Sequence, residues 1–160
     1  MSEVIIYTDG ACSGNPGAGG WGVVVLNKMD IEKFNGYEKD TTNNRMELMA
    51  AIEGIAKQKT GTIITLYTDS KYVKDGITKW VINWKNNNWL TSAKKPVKNK
   101  DLWQRLDLLC GTYEVRWKWV RAHQGDMSDE TIYNNMADKL ARDGIETVSY
   151  THLRAHETHE

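Results

Sequence analysis

Thr62-Ile63-Ile64-Thr65-Leu66-Tyr67-Thr68-Asp69 is a short, β-branched, largely apolar run that closes on an aspartate, and it reads as a buried strand ending in a polar turn. Residues 3–8 read the same way and end alike, Tyr7-Thr8-Asp9 against Tyr67-Thr68-Asp69. Between them a helix is predicted from about Thr42 to Gln58, with Leu48, Ile52 and Ile55 at i, i+4 and i+7 as its buried stripe. A helical crossover between two strands favours parallel pairing. As parallel neighbours the two strands would deliver Asp9 and Asp69 to one C-terminal sheet edge, where open α/β sheets place their ligands.

Outward from this unit, Trp21–Met29 and Ile31–Tyr37 predict a hairpin after the first strand. Ser70–Thr78 and Lys79–Asn86 suggest two short helices, and Asn86–Lys98 a polar, basic loop. Asn99–Leu109 places Leu102, Leu106 and Leu109 on one helical face. Thr112–Val120 alternates Val115, Trp117 and Trp119 against Arg116 and Lys118, the pattern of a last strand, and a last helix is expected over Ile132–Asp143. Three β segments followed by αβαααβα make an α/β layer fold. Gly17-Ala18-Gly19-Gly20-Trp21-Gly22 matches the dinucleotide fingerprint G-x-G-x-x-G in letters only, because a β-branched strand follows where a helix must face the pyrophosphate. Gly10–Gly20 reads instead as a mobile, turn-rich loop. With no Gly-Lys-Ser/Thr phosphate loop and no Gly-x-Ser-x-Gly elbow, nucleotide hydrolysis and serine acyl transfer are disfavoured.

The 160 residues suit one domain, expected over 1–145. The segment 146–160 holds three of the four histidines, follows no apolar period and is expected to be a disordered tail, a scar of cloning or sequence assembly. No apolar run is long enough for a bilayer, and no secretory signal follows Met1. Two isolated cysteines, Cys12 and Cys110, offer neither a disulfide framework nor a Cys-rich zinc site. These features predict a soluble cytoplasmic protein, monomeric by default, whose metal, if any, is held by oxygen.

The formal net charge of zero hides an uneven distribution: Lys71 to Arg105 carries nine Lys or Arg against Asp75 and Asp101. Such a stretch is either a solvated face or the electrostatic footprint of a polyanion. Trp80, Trp84, Trp89 and Trp103 are interleaved with its lysines, and Trp80 and Trp84, one helical turn apart, could simply pack the short helices together. Lys94-Lys95-Pro96-Val97-Lys98 is a poor core segment and a good phosphate-contact surface.

Four acids have ordinary readings taken singly. Asp9-Gly10 could be a turn pair, Asp69-Ser70 a helix cap, Glu47 half of a capping box with Asn44, and Asp138 an i, i+4 partner of Arg142. Together they are two aspartates at the ends of like-directed strands and one acid near the start of each of two helices that could cover that edge. Four converging anions would repel, so such a site calls for a hard divalent cation. Two Mg²⁺ ions there would suit displacement at a phosphodiester, and His123, in a polar loop after a strand, could relay protons near neutral pH.

Residues 7–17, 41–51, 67–73 and 94–103, from Tyr7-Thr8-Asp9-Gly10 through Thr42-Asn43-Asn44-Arg45-Met46-Glu47 and Tyr67-Thr68-Asp69-Ser70 to Lys94-Lys95-Pro96-Val97-Lys98-Asn99, closely resemble bacterial ribonuclease HI. The resemblance runs from about Val4 to Arg142. It implies a five-stranded mixed sheet flanked by helices, with a basic helix-loop protrusion. It also implies endonucleolytic hydrolysis of the RNA strand of RNA–DNA hybrids by two metal ions, Mg²⁺ or Mn²⁺, leaving 5′-phosphate and 3′-hydroxyl ends. By the same resemblance Asp9, Glu47, Asp69 and Asp138 are the metal ligands and His123 the proton relay. Cys12, Asn15, Asn43 and Asn44 match contacts to 2′-hydroxyls, which tell RNA from DNA. Thr42 and Asn99 match the grip on a DNA-strand phosphate, and Trp80, Trp84, Lys94, Lys95 and Lys98 the protrusion that meets the DNA strand.

The chain departs from the family in three places. Lys71 stands where the family has a glutamine that contacts a 2′-hydroxyl, Asn86-Asn87-Asn88 replaces a more basic stretch, and the connection from His123 to Asp138 is longer, with Ala122 in place of a glycine. The asparagines predict a shallower salt dependence of substrate binding. A DNA-cutting nuclease of related fold, or a hybrid-binding module without catalysis, is the alternative. The Asn43–Glu47 run argues against the first, and the complete set of acids against the second.

Overall fold

The computed structural model describes residues 2–122 and 127–157. Strands β1 (Glu3–Ser13), β2 (Gly17–Asn27) and β3 (Asp30–Thr41) lead to helix α1 (Asn43–Ala56) and strand β4 (Ile63–Thr68). Helix α2 (Lys71–Asp75), a wide π turn (Gly76–Trp80), helices α3 (Val81–Asn86) and α4 (Lys100–Thr112), strand β5 (Glu114–Trp119) and helix α5 (Asp129–Glu157) follow. The five strands form one sheet ordered β3-β2-β1-β4-β5. The pairs β1–β2 and β2–β3 are antiparallel, and β1–β4 and β4–β5 are parallel. This is the mixed α/β sheet expected, and the parallel register sets Tyr7 beside Tyr67 and Thr8 beside Thr68.

Alternation along the strands divides the side chains between two layers. On one face Val4, Ile6, Val23, Val25, Ile64 and Leu66 pack against Leu48, Ile52 and Ile55 of α1 and Trp103 and Leu106 of α4. The α1 stripe is therefore the one its spacing predicts. On the other face Tyr7 and Val24 pack under α5, with Ala137 buried against them and Leu140 and Tyr133 alongside. α5 lies close on β2 because Gly20 and Gly22 have no side chains: a Cβ at either would collide with the Ala141 or Ala137 carbonyl oxygen. That contact fixes the height of Asp138 above the sheet.

The structure corrects several expectations. Gly10–Gly20 is not a loop, since the β1–β2 ladder continues from Asp9↔Gly22 to Ser13↔Ala18 and leaves a turn only over residues 14–16. Its small residues serve close packing inside a hairpin. The two short helices meet in the π turn, where Gly76 lies flat on the fully buried Trp103 and a Cβ would strike the indole. The last helix begins at Asp129, not Ile132. Ser128 caps it, its hydroxyl accepting from the Thr131 N–H at 3.3 Å, with Asp129 and Glu130 favourably placed in the first turn. It runs to Glu157, and no Gly or Pro after Gly144 interrupts it. None of the helices is long and apolar enough among the described residues to cross a membrane.

Candidate metal centre

Asp9 lies inside β1, buried at 5 % exposure, where the strand has paired with β4 on one side and still pairs with β2 on the other. Its neighbour Gly10 lets α1 approach: a Cβ there would collide with the backbone nitrogen of Glu47. α1 starts at its N-cap Thr42, whose hydroxyl accepts from the Arg45 N–H at 3.3 Å. Thr42 thus takes the cap, and Glu47, buried at 7 %, turns to the sheet, where it accepts from the Gly10 N–H. Asp69 follows β4 directly. Ser70 caps α2, accepting from the Val73 N–H at 3.2 Å.

Carboxylate oxygens of Asp9, Glu47 and Asp69 come within 4.8 Å of one another. Asp138, on α5, influences Asp9 but is not part of that group of three, and its Oδ2 accepts from Arg142 Nε at 3.1 Å. The i, i+4 pair anticipated from sequence therefore exists and coexists with the cluster. Burial raises the pKa of Asp9 far above the carboxylate range, and the charges of Glu47 and Asp69 add to the effect. Burial likewise raises Glu47, against the opposing influence of its hydrogen bonds to Asp9, the Gly10 N–H and Ser70. Without a cation the cluster favours holding a proton between Asp9 and Glu47. An all-oxygen, anionic, largely buried donor set fits a hard divalent ion.

The residues expected to hold substrate are tied to the start of α1 or lie in the segment that follows β4. Asn15 Oδ1 accepts from the Asn43 N–H at 3.0 Å, and the Cys12 thiol lies 3.5 Å from the Thr41 carbonyl, so the β1–β2 turn is tied to the start of α1, next to the exposed Asn44. Arg45 joins Thr42 and Asn99, the two residues expected to grip a phosphate: its backbone N–H donates to the Thr42 hydroxyl, and its Nη1 to Asn99 Oδ1 at 3.3 Å. It also makes a two-pronged bridge to Asp101, with contacts of 2.8 and 3.0 Å. Asn99 adopts a left-handed backbone, φ 61°, and donates to the Tyr72 hydroxyl at 3.1 Å.

Trp80 and Trp84 lie 6.0 Å apart, but their surroundings differ. Trp84 packs on the buried Trp103, whereas Trp80 is 38 % exposed. Trp84 thus packs the short helices together, as one reading expects, and Trp80 meets Tyr72 edge-on at 5.8 Å and stays partly open. Lys94, Lys95 and Lys98 are exposed on a loop folded back by the Leu90↔Pro96 bridge and anchored by buried Val97. Lys71 sits next to Ser70 with its Nζ 4.9 Å from the centre of the Trp119 ring. His123 lies outside the described residues.

Two more residues at the centre carried no readable signal. Asn134 is buried at 3 %, one turn before Asp138, and its Nδ2 is 3.5 Å from Asp69 Oδ2. The Trp119 indole N–H donates to the Asp69 carbonyl at 3.2 Å.

A rim of carboxylates on this sheet fits the class of metal-dependent nucleases. The model of the RNase H family matches residues 1–146, and the chain belongs to that family. A ribonuclease H of Rhodopseudomonas palustris strain BisB5 is 57 % identical over 146 residues, spanning 91 % of this chain and 93 % of that protein. The crystal structure of LC9-RNase H1, a type 1 RNase H with the type 2 active-site motif, is 32 % identical with a TM-score of 0.79, covering 92 % of this chain and 74 % of that one. LC11-RNase H1, solved in complex with an RNA/DNA hybrid, shares the fold with a TM-score of 0.67 at 20 % identity, covering 91 % and 98 %.

Proposed function

We propose that this enzyme hydrolyses the RNA strand of RNA–DNA hybrids at internal positions, with two divalent cations held by Asp9, Glu47, Asp69 and Asp138. The observation that carries the reading is the convergence of Asp9, Glu47 and Asp69 within 4.8 Å inside a buried rim. Uncompensated carboxylates at that spacing are unfavourable, and two cations held there would supply both the compensation and the chemistry, activation of water and stabilisation of the departing 3′-oxygen. Mg²⁺ is the expected ion and Mn²⁺ a competent substitute, with 5′-phosphate and 3′-hydroxyl products.

The chain's own residues position the substrate. Cys12, Asn15, Asn43 and Asn44, at the corner of the β1–β2 turn and α1, face the ribose hydroxyls of the RNA strand. Thr42 and Asn99, held to Arg45, take a phosphate of the DNA strand, and Trp80, Trp84 and the Lys94–Lys98 loop carry that strand onward. His123 is assigned the proton relay on resemblance alone. That LC11-RNase H1 was solved with an RNA/DNA hybrid supports the substrate class. Residues 1–145 are taken as the catalytic unit, acting as a monomer. The free thiols of Cys12 and Cys110 suit the reducing cytoplasm where we place it.

Incubation with an end-labelled RNA–DNA hybrid, a DNA duplex and an RNA duplex, with Mg²⁺ and with chelator, tests the reading. Internal cuts in the RNA of the hybrid alone, lost with chelator, are expected. Cleavage of the DNA duplex at a comparable rate, or cutting that survives chelation, would overturn it.

A further inference from the structure

Trp119 ends the exposed edge strand β5 beside the carboxylate rim, and it is 37 % exposed, unlike the buried Trp103. Nothing in the core requires a tryptophan there. Its two polar features are both engaged. The indole N–H donates to the Asp69 carbonyl at 3.2 Å, and the ring face carries the Lys71 ammonium 4.9 Å from its centre, inside the roughly 6 Å range of cation–π attraction. The adjacent Val120 N–H donates to the Thr68 carbonyl at 3.0 Å, and the Ser70 N–H to the Thr68 hydroxyl at 3.0 Å. The peptides on both sides of Asp69 are thus clamped, one of them by a side chain that also fixes a lysine two residues further on.

We propose that Trp119 is a positioning residue with two separable outputs: through its N–H it sets the Asp69 carboxylate for the metal, and through its ring it holds Lys71 against a phosphate of the strand being cut. The inference rests on the function proposed above and adds to it. An ammonium donates and carries charge but cannot accept. It is suited to a phosphate oxygen, and a half-exposed lysine stem pinned on an indole loses little further freedom when it makes that contact.

The two outputs call for two binding measurements that do not depend on turnover. Calorimetric titration of the full chain with Mn²⁺ reads the Asp69 arm. Anisotropy of a labelled RNA–DNA hybrid in chelator, over a range of KCl, reads the Lys71 arm. W119F keeps a ring and loses the N–H, so it should weaken Mn²⁺ binding several-fold and leave the salt slope of hybrid binding unchanged. K71M should do the reverse, lowering the slope of log K against log salt by about one, and K71R should restore it. W119L should show both losses. Melting curves confirm that each variant is folded, which the exposed position favours. If wild-type protein binds Mn²⁺ while W119F binds it equally well, or if W119L keeps the wild-type slope, the positioning role is refuted with the parent reading intact. If wild-type protein binds no Mn²⁺, both fall.

Discussion

Replacing Asp9 with Asn should stabilise the metal-free protein while abolishing cleavage. The cluster sets carboxylate oxygens of Asp9, Glu47 and Asp69 within 4.8 Å. At an effective dielectric of about 20, two unit charges at that separation repel by roughly 3 kcal/mol. Asn keeps an oxygen for the Gly10 N–H, which Asp9 Oδ1 accepts at 2.9 Å, and removes the charge. Wild-type Asp9 escapes that repulsion by keeping its proton, at a linkage cost that grows by about 1.4 kcal/mol per pH unit above about pH 4, so the expected gain for the variant is about 3 kcal/mol a little above pH 6. For a domain of this size that corresponds to a rise in Tm of about 6–12 °C.

The pH dependence gives the sharper test. Because the folded Asp9 holds its proton far above the carboxylate range, the wild-type contribution is fully present below about pH 4, where the unfolded carboxyl is also protonated, and is lost as pH rises toward the folded value. The gap between D9N and wild type should therefore be small at pH 4 and widen toward pH 8. Thermal unfolding followed by circular dichroism in chelator measures it, and saturating Mg²⁺ should close it from the wild-type side. A variant less stable than wild type in chelator, or a gap that shrinks as pH rises, would refute the idea that these acids repel in the folded state.

Four further outcomes are expected. Metal affinity should climb with pH, with protons released on binding, because Asp9 and Glu47 must ionise to ligate; calorimetry in buffers of different ionisation enthalpy counts those protons. Gly10→Ala should push α1 off β1 and weaken Mn²⁺ binding strongly, with helical content preserved by circular dichroism. Gly76→Ala should cost about 1–3 kcal/mol in urea unfolding, since the new methyl meets the fully buried Trp103. Thr42→Ala, which removes the α1 cap, should cost about 1 kcal/mol by the same measurement.

Much of the fold could be read because two strands state their direction twice. Tyr7-Thr8 and Tyr67-Thr68 are register partners immediately before Asp9 and Asp69, and the helix between the strands buries the leucine and isoleucines its spacing predicts. What escaped was governed by contacts distant in sequence. The glycines of 10–20 looked like a loop because local propensity carries no record of α1 and α5 pressing on the hairpin from either face. The start of α5 is written in the Ser128 cap and the acids after it, three residues ahead of the first apolar position, Ile132. At the site, the acids could be found by type, since few arrangements justify four of them. Arg45, Asn134 and Trp119 could not: each acts through a hydrogen bond to a residue at least 50 positions away.

One helix carries both ends of the proposed task. Asn43 and Asn44 stand at the tip of α1 and Glu47 about one turn deeper, so the span between them is the rise of that turn, close to 5 Å. A single helical turn, capped by Thr42 and tied to Asn15, acts as a rigid gauge. Whatever shifts the tip shifts the acid with it, and the choice of sugar cannot drift out of step with the place of the cut. An alanine inserted between Asn44 and Glu47 would rotate the two by about 100° and uncouple recognition from scission, even if each residue remained in the chain.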